Sequence, residues 1–119
     1  MTHFRTILTG IAFSPTLKAN VFETLRLGRF LKAKVVLVHV GEKSPEKEQI
    51  ITDYCNNFPD FKDQISIVWK SGDPVDVIIN ACQEYKANLL ILGATKREKT
   101  LKFYLGVVAK KIAKKAPCS

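Results

Sequence analysis

The sequence predicts an α/β fold: an open, mostly parallel sheet of about four strands with helices on both faces. Three observations support that reading. Four apolar, β-branched runs alternate with stretches of helical periodicity. Two of the runs, V-V-L-V-H-V and L-L-I-L, are almost continuously hydrophobic, as strands covered on both sides must be. Three of the intervening stretches open on a capping side chain followed by proline, an order that satisfies orphan amides and presets the first helical φ.

The elements follow in order. Thr6–Ile11 is the first strand. Ser14-Pro15 then opens a helix expected over 15–31, with Leu17, Val21 and Leu25 on one face. Val35–Val40 is the second strand, and Ser44-Pro45 starts a short polar helix over 45–57. Ile65–Trp69 is the third strand. After it, Asp73-Pro74 opens a helix whose Val75, Ile78, Ile79 and Cys82 keep the i, i+3, i+4, i+7 spacing of a buried stripe. Leu89–Leu92 is the fourth strand. A basic loop follows, and a last helix over 106–115 sets Val108, Ala109 and Ile112 opposite its lysines.

This β-α alternation implies right-handed crossovers and helices on both faces of the sheet. Ligands in such folds bind beyond the carboxyl ends of the strands, where the strand order switches direction. The segments to watch are therefore Gly10 to Ser14, Val40 to Glu42, and Gly93 onward.

Bulk properties narrow the function. The chain has 119 residues, one domain's worth, with 46% hydrophobic and 25% charged residues, so a folded core is expected. No apolar run approaches the roughly 18 residues of a membrane span, and no signal-peptide pattern opens the chain. Cys55, Cys82 and Cys118 form no C-x-x-C pair and read as reduced thiols, with Cys82 in the core. The expected location is cytoplasmic.

The net charge of +8 is unevenly placed. Lys96, Arg97, Lys99, Lys102, Lys110, Lys111, Lys114 and Lys115 face the single acid Glu98. Such a cluster attracts an anionic ligand or surface, or it is simply the lysine-rich solvated end of a helix. Gly93 after strand four and Gly106 at the last helix frame a loop of the kind that cradles phosphate. A plain turn would look the same.

The whole chain resembles the universal stress protein family. The resemblance rests on R-T-I-L-T-G-I-A-F-S, V-V-L-V-H-V, S-G-D-P-V-D-V-I, A-N-L-L-I-L-G-A-T-K and the closing L-G-V-V-A-K-K-I-A-K-K-A-P-C. It implies a flavodoxin- or Rossmann-like fold of the adenine nucleotide alpha hydrolase-like kind. It also implies a nucleotide site at Gly10, Ala12, Val40, Leu92, Gly93, Lys96, Gly106, Val107 and Val108.

By the same resemblance, nucleotide-binding members carry glycine, two residues, glycine, nine residues, then glycine with serine or threonine. Here Gly93 and Gly106 keep that spacing, but Lys96 and Val107 replace the second glycine and the hydroxyl residue. Ala12 stands where ATP-binding members have an aspartate facing the nucleoside, while Val40 at the adenine position is retained. Lysine resists a positive φ, and valine and alanine remove a donor and an acceptor, so ATP affinity should fall.

The sequence offers no parts of a catalyst. His3 is near the start and His39 lies inside strand two, where it reads as a strand residue with one satisfied nitrogen. Asp73 reads as a helix cap. Phe103 and Tyr104 in the basic loop could stack nucleic-acid bases, but packing onto the sheet is the expected role, and nucleic acid is not an expected partner.

The resemblance thus implies a non-catalytic regulatory domain in stress adaptation, acting as a homodimer or through a protein partner. A sensor of ATP, AMP or another adenine nucleotide is one alternative; a cytosolic module of a larger protein such as a transporter is another. Family members continue after A-P-C with a further apolar strand beside strand four. Its absence here predicts an edge at Leu89–Leu92 that another segment or chain must cover.

Overall fold

Alternation along each strand decides which residue meets which layer of helices. In the computed structural model residues 6–92 are described. They form β1 (Thr6–Ile11), α1 (Leu17–Leu31), β2 (Lys34–Val40), α2 (Pro45–Cys55), β3 (Ile65–Lys70), α3 (Pro74–Glu84) and β4 (Leu89–Leu92). A short 3-10 turn, Lys62–Gln64, leads into β3. All the strand pairs are parallel, in the order β3-β2-β1-β4. The chain steps from β1 outward to β3, then crosses back to lay β4 on the other side of β1.

On one face Ile7, Ile11, Val35 and Leu37 pack against Leu17, Val21 and Leu25 of α1, Ile51 and Cys55 of α2, and Phe58 and Phe61 beyond it. On the other face Leu8, Val36 and Val38 meet Ile78, Ala81 and Cys82 of α3, with Ala87. Helices therefore cover both faces, and Cys82 is a core residue, as the sequence implied. The α3 stripe runs through Ala81 as well, while Val75 and Ile79 are half-buried beside it.

Two of the three expected caps form. The Ser44 side chain accepts the Lys47 N–H at 3.2 Å, and that of Asp73 accepts the Asp76 N–H at 3.1 Å. Ser14 does not cap α1. The helix begins at Leu17 behind Thr16, which makes no side-chain cap, and the Ser14 and Thr16 hydroxyls bond to each other at 3.1 Å. Ser14-Pro15-Thr16 is a turn instead, closed by the Leu17 N–H on the Ser14 carbonyl at 3.0 Å. The second helix also ends earlier than expected, at Cys55.

Gly28 explains why α1 tolerates a glycine near its end. A Cβ there would collide with Val35 Cγ2 and lie 3.2 Å from Phe61 Cζ, so the missing side chain lets the helix lie against β2.

Candidate functional site

The strand order reverses between β1 and β4, so the carboxyl ends of these two strands form the switch point. Gly10 sits there, paired with Val38 on one side and Leu92 on the other. The buried Thr9 hydroxyl donates to the Ile91 carbonyl at 2.7 Å and ties the two strands together one residue before the site.

Beyond Gly10 the backbone leaves the sheet. Ala12 is exposed, and its carbonyl accepts the Ser14 N–H at 2.9 Å. Its methyl side chain brings no polar group to the mouth of the site. Val40, at the end of β2, is half-buried. By alternation Gly10 follows Leu8 onto the α3 face, and Val40 follows Val36 and Val38 onto the same face. The structure thus brings Gly10 and Val40 to one side of the sheet end.

The opposite side of that end is filled by aromatic rings. Phe13, just past β1, meets the His39 ring edge-on at 4.8 Å and lies parallel to Trp69 at 6.2 Å. His39 and Trp69 are themselves 5.6 Å apart, edge to face. Lys47 of α2 places its ammonium 5.3 Å from the Phe13 ring centre. His39 is buried, with Nδ1 3.0 Å from the Ile11 carbonyl. A carbonyl can only accept, so Nδ1 donates the proton, and in the neutral ring Nε2 is the acceptor. Gly41, at φ +156°, folds over this nitrogen; a Cβ there would lie 2.7 Å from Nε2. The histidine is a packed strand residue with one satisfied nitrogen, as its sequence context suggested.

Thr9, Phe13 and Trp69 were not among the residues singled out from the sequence. A signal for Trp69 existed: aligning V-V-L-V-H with I-S-I-V-W from their first residues sets His39 opposite Trp69, which is the observed register. Phe13 follows Ala12 directly and gave no such signal.

Gly93, Lys96, Gly106, Val107 and Val108 lie outside the described residues, as do the basic loop with Phe103 and Tyr104, the helix expected over 106–115, His3 and Cys118. The described span 6–92 contains ten lysines and arginines and ten acids, so the net +8 belongs to the residues flanking it. Among the described residues, no group of three or more His, Cys, Asp or Glu side chains could hold a metal ion. No helix among them is long and apolar enough to cross a membrane.

Solved structures share this architecture. A universal stress protein crystallised in complex with cAMP superposes with a TM-score of 0.72 at 20% identity, covering 99% of this chain and 94% of that one. A universal stress protein from Archaeoglobus fulgidus DSM 4304 gives 0.75 at 15% identity, over 97% of this chain and 42% of that one. Another from Archaeoglobus fulgidus, in complex with dAMP, gives 0.64 at 15% identity over 99% and 95%. No curated protein matches the chain. The universal stress protein family matches over residues 60–119. With that match and the sheet order above, the chain belongs to the universal stress protein family.

Proposed function

We propose that this chain is a non-catalytic, cytoplasmic regulatory domain whose nucleotide pocket is altered and which acts through dimerisation or contact with a protein partner. The observation that carries the reading is Ala12. It is exposed at the switch point beside Gly10, where family resemblance expects a carboxylate for the nucleoside. A methyl group cannot accept a ribose or base hydrogen bond, and the nearby Ala12 carbonyl is already engaged by Ser14. His39, the one histidine among the described residues, has its Nδ1 proton committed to Ile11 and its ring enclosed by Phe13 and Trp69, which argues against a base there.

A second reading, an adenine-nucleotide sensor, is favoured by Val40. It lies on the same face as Gly10, which brings no side chain to the strand ends. The complexes of structural neighbours with cAMP and dAMP lend it support. Calorimetry with ATP, AMP and cAMP separates the two readings. We expect no ATP binding tighter than a few micromolar, about −8 kcal/mol. The triple replacement Ala12→Asp, Lys96→Gly and Val107→Ser should strengthen binding by about two to three decades. A micromolar or tighter Kd in the unaltered chain would establish the sensor instead.

A further inference from the structure

The outer edge of β3 is built to pair with itself. Among the described residues β3 pairs only with β2, and it ends the sheet on that side. Its sequence, I-S-I-V-W-K, contains no proline, and its one charge is the last residue. That charge is turned elsewhere, since Lys70 Nζ lies 3.3 Å from Glu84 of α3. Ile65, Ile67, Val68 and Trp69 are only half-buried. Within the strand neither a proline nor an interior charge blunts the edge.

The hydrogen-bond phase of the strand is fixed by one contact. The Gly41 N–H donates to the Lys70 carbonyl at 2.8 Å, so Lys70 faces β2. In a parallel ladder the backbone groups alternate, and Ile65, Ile67 and Trp69 therefore direct theirs outward. The Ile65 N–H agrees with this phase, being taken by the Lys62 carbonyl of the preceding turn rather than by β2.

We infer that a second copy of this chain pairs antiparallel along β3 about a two-fold axis through Ile67. This rests on the dimerisation reading above and gives it a surface. Only registers that join outward-facing residues make bonds, and the one centred on Ile67 uses all three. The two copies of Ile67 exchange both of their bonds, and each Trp69 N–H reaches the carbonyl of Ile65 in the other copy. Trp69 then neighbours an isoleucine on the α1/α2 face, an aromatic and β-branched pair that stabilises antiparallel strands. Ser66 meets Val68 on the other face. Lys70 comes opposite Gln64 and beside Asp63 of the other copy, so no like charges oppose each other. A parallel arrangement would instead set Lys70 against Lys70.

The test is a cysteine at the axis. Residues in a hydrogen-bonded antiparallel pair have Cα atoms about 5.5 Å apart, within disulfide range. Ile67→Cys in a Cys118→Ser background should give a 67–67 cross-linked dimer under mild oxidation, mapped by mass spectrometry. Ile67→Pro removes an outward N–H and no bond to β2; if it folds, dimerisation should weaken about tenfold or more in sedimentation equilibrium. A dimer that leaves residue 67 uncross-linked overturns the β3 surface but keeps dimerisation. A protein monomeric at roughly 100 µM overturns both, leaving the nucleotide question to calorimetry.

Discussion

The two faces of the sheet are closed in opposite ways. On the α1/α2 face large side chains fill the space from one strand end to the other: Leu17, Val21, Leu25, Phe58 and Phe61 along the body, then Phe13, His39 and Trp69 at the carboxyl end. On the α3 face the helix contributes Ile78 with two small residues, Ala81 and Cys82, and the carboxyl end shows Gly10 and Val40. Among the described residues, the strand ends carry an aromatic plug on one side and Gly10 with Val40 on the other.

That contrast predicts different failures for the two faces. Leu25→Ala should leave a cavity under α1 and cost about 2–5 kcal/mol in chemical denaturation. Ala81→Leu should crowd α3 against Val36 and Val38 and cost about 1–3 kcal/mol for the opposite reason. If Ala81→Leu proved neutral, the α3 face would be looser than its small residues suggest.

Gly41 probes the plug itself. Alanine there meets both a positive φ and the His39 Nε2 at 2.7 Å, so Gly41→Ala should cost about 1–3 kcal/mol. Trp69 is the only tryptophan, and its emission should shift as the His39 ring is displaced. An unchanged spectrum would show that the loop relaxes without disturbing the rings.

The smallest effect concerns Cys55, inside the α1/α2 core. Burial pushes its thiol up, with Lys62 pulling weakly the other way. A thiol raised in the folded state ionises first in the unfolded chain. Its contribution to stability is therefore full below the ordinary thiol range and is lost as pH rises through the raised folded value. Thermal melts from neutral to alkaline pH should show a decline that is shallower in Cys55→Ala. An identical slope in the two proteins would remove Cys55 from the alkaline response.

Much of this was legible in the chain. The β1 and β4 bounds matched the apolar, β-branched runs Thr6–Ile11 and Leu89–Leu92. Ser44 and Asp73 declared their helices, since each cap acts on amides two or three residues away. Ser14 looked identical and failed. Its hydroxyl bonds to Thr16, and the chain leaving β1 needs a turn before α1 can lie on the sheet. A local pattern cannot report that requirement.

The sequence by itself determined the strands, the order of elements and the residues at the strand ends through periodicity, caps and short spacings, and its motifs carried the family resemblance. Only the tertiary structure decided which face each of those residues occupies and what lies opposite it. His39, Phe13 and Trp69 are far apart in the chain and become one cluster only when β1, β2 and β3 align in register. The outward phase of β3 likewise depends on the bond from Gly41 to Lys70, a contact between strands. Non-local pairing sets such facts, and no window of neighbouring residues contains them.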